Sequence, residues 1–181
     1  MVRRDILKPN KSFCENSRLI VPNLFDDFIS NMERIVSHPR LKNEFHIMRI
    51  AGKTLRYAME NFSVAFQDDF SSCLEEVKQV LDVMGTIHDC DVNIPKLQMH
   101  LKVIRLFNGM MPSAKDKIRT KALVNLIAEQ RKLRSESFNN FCIIIKQWNG
   151  NNFRQRILDS MMKNTPLKSN QKISTLNNIL Q

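Results

Sequence analysis

Four glycines, one tyrosine and one tryptophan in 181 residues leave little material for tight β-turns, or for a sheet lined with aromatic side chains. No run of 18 apolar residues occurs, and the basic start (Arg3, Arg4, Lys8, Lys11) has no apolar segment behind it, so neither a membrane span nor a secretion signal is expected. Cys14, Cys73, Cys90 and Cys142 lack C-x-x-C spacing. Reduced thiols in a cytoplasmic setting follow as the expectation. Also missing are a glycine-rich phosphate loop, a Ser/His/Asp order and paired acids at helical spacing. No enzyme and no cofactor are expected.

What is abundant points one way. Ten Met and eleven Phe, with 43% hydrophobic and 25% charged residues, fit a Met/Phe/Leu-filled helical core in one globular domain. The predicted fold class is all-α, an antiparallel up-and-down bundle. The net charge of +10 is unevenly placed: residues 61–110 carry more acids than bases, while both flanks are basic. A directed positive surface favours anionic partners.

Residues 1–20 show no period and are expected to form an N-terminal arm, with the bundle over 21–162 and a polar tail over 163–181. Pro22 suits a first helical turn, and Leu24 to Val36 carry a helix that His38-Pro39 ends. A second helix is predicted from about Leu41 to Phe62. The stripe Phe70, Cys73, Leu74, Val77, Val80, Leu81, Met84 marks the surest core helix. Asp89-Cys90-Asp91 is read as a break, with a further helix from Pro95 to Phe107. A long helix from about Ser113 to Trp148, including Lys117 and Ile118, and a short one over Phe153–Met162 complete the chain.

Function is most legible in the second helix. His46, Arg49, Lys53, Arg56 and Glu60 recur at i, i+3, i+7, i+10 and i+14, within an arc of roughly 80° over a rise of about 21 Å. Ile47, Met48, Ala51, Leu55, Ala58, Met59 and Phe62 are assigned to the opposite, core side. An ordinary solvated face alternates its charge signs to gain i,i+4 pairs. Here three cations precede the only acid of the stripe, Glu60, which can pair with Arg56 alone. A long uncompensated row of this kind suits an extended polyanion better than a single small phosphate.

The order His46, Arg49, Lys53, Leu55, Arg56, Tyr57, Glu60, followed after an apolar helix by Gly85, Asp89 and Val92, resembles the conserved histidine α-helical domain, abbreviated CHAD. The resemblance implies a helical bundle that binds inorganic polyphosphate without reacting on it. It further implies that His46, Arg49, Lys53 and Arg56 are the anion contacts, with Tyr57 flanking them and Glu60 orienting Arg56. Family members typically pair two such repeats about a pseudo-twofold axis. This chain shows one, so a homodimer is expected.

Arg131 and Arg134, on the long helix beside Lys121 and Lys132, are candidates to widen the basic surface. Asp89 is read as a supporting residue, capping a helix or holding Arg49 or Arg56. Gly85 is read as a point of close helix approach, and His88 can face either core or groove. No metal site is expected, because His88, Asp89, Cys90 and Asp91 are adjacent and cannot converge on one ion. Two alternatives stay open. Nucleic-acid binding fits the charge but lacks stacking aromatics and a reading motif; a histidine phosphotransfer module would use His46 as phosphoacceptor but leaves Arg56, Tyr57 and Glu60 unexplained.

Overall fold

Ser12 and Glu15 set the start of the first helix, α1 (Phe13–Ile29). The Glu15 amide donates to Ser12 Oγ at 3.2 Å, and the Ser12 amide donates to Glu15 Oε2 at 2.8 Å. This capping box satisfies donors that have no partner inside the helix. In the computed structural model, which describes residues 8–163, the buried Asn16 then ties the preceding turn to α1: the Lys8 amide donates to Asn16 Oδ1 at 2.9 Å, and Asn16 Nδ2 donates to the Lys8 carbonyl at 3.0 Å. The expected arm therefore needs correcting. Residues 13–20 are the docked first half of α1, with Ser17 and Ile20 also buried, and Pro22 lies inside the helix rather than at its start. The earlier part of that arm, residues 1–7, and the expected tail from 164 onward lie outside the described residues.

Five further helices follow: α2 (Met32–Ser37), α3 (Lys42–Phe62), α4 (Asp68–Met110), α5 (Lys121–Gly150) and α6 (Phe153–Met162). The all-α expectation holds. The single helix expected from Pro22 to His38 is two, α1 and α2, separated by a turn. A larger departure is α4, one helix of 43 residues and about 64 Å where two were expected. Asp89-Cys90-Asp91 does not break it, because Cys90 and Ile94 are buried and keep the 3,4 apolar stripe running, and Asp91 finds partners on other helices. Pro95 is carried inside the helix at the loss of one backbone bond.

α5 starts later than expected. Residues 113–120 form a loop with a 3-10 turn at Ala114–Asp116, so Lys117 and Ile118 are not helical. Asn108 closes the α4–α5 hairpin: the Ile118 amide donates to its Oδ1 and its Nδ2 donates to the Ile118 carbonyl, both at 2.8 Å. Asn152, at φ 50°, supplies the left-handed residue that turns α5 into α6.

Cross-helix pairs show that neighbours run antiparallel. Phe13 meets Phe62 between α1 and α3, His46 meets His88 between α3 and α4, Asp91 meets Arg134 between α4 and α5, and Glu76 meets Arg156 between α4 and α6. α4 thus lies between α3 and α5. The core is filled by Phe28, Phe70, Phe141, Phe153, Leu55, Met59 and Met84, with Trp148 stacked on Phe153 at 4.2 Å.

Gly52 governs how α3 seats. A Cβ built there would stand 2.7 Å from both Leu81 Cδ2 and Phe28 Cε2, so the side chains of α1 and α4 pack directly on the α3 backbone and would have to shift to admit one. Close approach had been assigned to Gly85, but a Cβ on Gly85 would meet nothing within 4 Å. Opposite outcomes follow in urea unfolding. Gly52→Ala should lose about 1–3 kcal/mol through overpacking, whereas Gly85→Ala should gain about 0.5–1 kcal/mol from helix propensity. Equal effects of the two substitutions would contradict this packing.

Candidate functional site

The core face of α3 is Phe45, Met48, Gly52, Leu55 and Met59. At 100° per residue its centre lies about 100° from the stripe of His46, Arg49, Lys53 and Arg56. The cations are therefore not opposite the core; they run along the flank of α3, beside its seam with α4. Ile47, expected inside, is 61% exposed, as are Ile50 and Tyr57 in large part. Lys42, four residues before His46, falls on the same line and was overlooked, although the i−4 spacing could have revealed it.

α4 supplies the second wall. His88 stacks on His46 with ring centroids 4.8 Å apart and planes 24° from parallel, which settles the open question of its direction: it faces α3. The register given by Gly52 against Leu81 and His46 against His88 puts Gly85 level with Arg49. A glycine in mid-helix costs stability, and nothing in the packing requires one here. Its consequence is open space on α4 at the level of Arg49. Lys78 adds a cation from this wall, which the sequence could not place without the α3–α4 register.

The charge balance differs along the groove. At one end Glu60 Oε1 lies 3.7 Å from Arg56 Nε and 4.0 Å from Lys78 Nζ, and Lys78 also donates to Glu75 at 2.7 Å. The Arg56 guanidinium lies over the Tyr57 ring at 4.7 Å. In the middle, Arg49 and Lys53 have no ion-pair partner among the described residues. His46 Nδ1 and Arg56 Nε are buried without a hydrogen-bond partner among the described residues. Burial, then the charges of Arg49 and His46, hold the His88 pKa below its ordinary value, outweighing the opposite pull of Asp89 and Asp91. Burial and the neighbouring positive charges thus both disfavour a proton on His88, and an arriving polyanion would oppose the second of these.

At the other end the acid is Asp91. Arg134 donates to it through Nε at 2.8 Å and Nη2 at 3.3 Å, Lys42 Nζ lies 3.0 Å away, and Arg134 Nη2 also donates to the Pro39 carbonyl. Arg134, expected to contact the ligand, is instead committed to joining α5, α4 and the turn before α3. Asp89, expected to cap a helix or hold an arginine, sits exposed within continuous α4; the supporting carboxylate is Asp91. Arg131 lines a recess of about 500 Å³ with Arg40, Lys42 and Arg134, over Ile94 and Phe138, so it extends the basic surface past the end of α3. The adjacent His88, Asp89, Cys90 and Asp91 point to a ring, to solvent, to the core and to Arg134 respectively.

This arrangement, a cationic seam between two antiparallel helices of an all-α bundle, meets a family comparison. The CHAD domain family model matches residues 9–98, from the turn before α1 into the last third of α4, and the chain belongs to the CHAD family. No curated protein and no solved structure matches the chain. Among the described residues, no helix is long and apolar enough to cross a membrane.

Asp91 offers a test of the structural end of the groove. Burial pushes its pKa up, but the hydrogen bonds and charges of Arg134 and Lys42 outweigh burial and hold it below the usual carboxylate range. The stabilisation from Asp91 is thus fully present above its unfolded pKa of about 4 and is lost as pH falls through the lower folded value. Asp91→Asn should cost about 1–3 kcal/mol at neutral pH. The difference from wild type should shrink below about pH 4; a constant difference down to full acidity would show that the pairing contributes nothing.

Proposed function

We propose that the α3–α4 groove binds inorganic polyphosphate without catalysing a reaction on it. The observation that supports this best is the middle of the groove: Arg49 and Lys53, without acidic partners among the described residues, stand beside the His46–His88 pair above the open position of Gly85. Arginine offers forked donors to phosphate oxygens, and lysine a compact charge. A polyanion beside His88 offsets the repulsion of Arg49 and so favours protonation of its ring. Arg56, partly shared with Glu60, closes one end, and Lys42 with the Arg40 and Arg131 recess continues the positive surface at the other. From Lys42 to Arg56 the row spans about 21 Å, enough for several consecutive phosphates.

A phosphoacceptor role for His46 has less support, because its ring is covered by His88 and its Nδ1 is buried. For nucleic acid, the groove offers one exposed aromatic, Tyr57, and no platform for successive bases.

Titration with long-chain polyphosphate tests the reading. Arg49→Ala and Lys53→Ala should each weaken binding about tenfold and reduce the slope of log K against log salt by about one. Gly85→Phe should also weaken it while leaving the fold intact, and wild-type affinity should rise as pH falls from about 7.5 to 5.5. Wild-type binding by the Arg49/Lys53 double variant would end the proposal, and failure of polyphosphate to displace RNA at equal phosphate concentration would favour nucleic acid. The pairing of two copies expected from the family resemblance belongs to the same proposal. Light scattering that finds a monomer both free and with polyphosphate removes the pairing and leaves the groove.

A further inference from the structure

None of residues 95–126 is buried. This stretch comprises the distal part of α4, the loop closed by Asn108 and the first turns of α5, and it extends beyond the hydrophobic core as a two-helix hairpin. Its inner seam is ordinary: Leu97, Leu101 and Ile104 of α4 are half-buried toward α5. The other side is not. Met99, Val103, Leu106 and Met110 repeat at 4,3,4 spacing, each two residues past the inner stripe and so turned about 200° from it. Their exposures are 60%, 57%, 61% and 71%.

The outer stripe prolongs the line on which α3 lies. Leu81 and His88 of that line are covered by α3, but α3 begins at Lys42, level with Asp91. From Val92 onward the line is uncovered by any described residue. Phe107 and Ile118, at 40% and 48% exposure, spread apolar surface around the tip beyond that stripe. Residues 95–126 also carry seven Lys and Arg against one acid, Asp116. Lys96 and Lys102 flank the stripe at about 50° and 70°, where their stems can lie along an apolar surface while their ammonium groups reach outward.

We infer that the α4–α5 hairpin docks on an anionic lipid surface, with Leu106, Phe107, Met110 and Ile118 entering the headgroup boundary and the surrounding lysines and arginines meeting headgroup phosphates. Charge complementarity carries the choice of occupant. A second copy of the hairpin would bring one strongly cationic element against another, whereas an acidic membrane surface neutralises all sides of the tip at once. A protein helix would cover the stripe alone, but apolar side chains surround the tip. The hairpin lies on the surface and does not span it, in keeping with the lack of a membrane-crossing helix among the described residues. None of these residues belongs to the α3–α4 groove, so the inference stands apart from the polyphosphate proposal.

Co-sedimentation of the full chain with vesicles tests it, using phosphatidylcholine alone and phosphatidylcholine with about 30% phosphatidylserine. The wild-type chain should pellet with the anionic vesicles, remain in solution with the neutral ones and be released by salt. Leu106→Glu combined with Met110→Glu changes exposed positions only; it should keep the wild-type thermal unfolding and lose vesicle binding. Lys115→Ala and Lys117→Ala should each weaken binding about fivefold, while Arg49→Ala with Lys53→Ala should pellet as wild type does. Equal sedimentation with both lipids, or undiminished binding by the Leu106/Met110 variant, overturns the inference. So does a wild-type dimer that this variant converts to monomer without any change in vesicle binding, which would make the stripe an interface between copies.

Discussion

The seating of α3 at Gly52 is the constraint on which the rest depends. Because no side chain stands between α3 and the Leu81–Phe28 pair, the two helices approach closely enough for His46 to reach His88 and for Glu60 to reach Lys78. Those contacts fix one register, and the register turns a row of side chains on one helix into a groove with two walls. A wider seat would separate the walls and leave α3 with an ordinary solvated face. The functional geometry is therefore a consequence of core packing, and the glycine that matters for it lies in the core rather than in the groove.

Acids are placed where they hold the walls and are absent where a ligand would lie. Asp91 is nearly buried and shared by Arg134 and Lys42, which ties three helices together beside the start of α3. Glu60 neutralises part of the charge of Arg56 and Lys78 at the far end. Between them burial, and then the charge of Arg49, disfavour a proton on His88. Repulsion of this kind is a cost to the folded state, and a buried polar atom without a hydrogen bond among the described residues, as His46 Nδ1 is, adds to it. A fold that keeps those costs in one place, and accepts a helix-interior glycine beside them, has its least stable arrangement where an anion would relieve it.

The sequence revealed the composition of the stripe but misplaced its orientation, since an apolar count puts Ile47 and Met48 on the same side, whereas only the latter is buried. Local signals failed in two instructive ways. Ser12 and Glu15 form a capping box that is visible as S-x-x-E, yet the polar residues around it suggested an arm. Asp89, Asp91 and Pro95 look like a helix boundary, but the buried stripe through Ile87, Cys90 and Ile94, with the ion pairs of Asp91, carries the helix across. Tertiary partners decided the second case. Close approach falls to Gly52 and not to Gly85, and whether a glycine permits contact or leaves space depends on what stands opposite, which a single chain read residue by residue does not contain. α6, bounded by a left-handed asparagine and dense in apolar contacts, was readable to the residue.

The uneven charge of the chain acquires a physical meaning from the long α4. Its first half is acidic on one side and packs against α3 and α6, where Glu76 and Asp69 pair with Arg156 and Lys163. Its second half carries no acid after Asp91 and leaves the core with apolar groups exposed. One helix thus links two positive surfaces of different character. The groove holds histidines and leaves Ile50 and Tyr57 exposed only along one rim, which suits a hydrated chain of phosphates. The hairpin joins its cations to exposed Met, Leu and Phe, a combination that a polyphosphate could neutralise but not cover. Charge alone would make the two surfaces compete for the same ligands; the histidine pair in one and the larger exposed apolar surface of the other are what separate them.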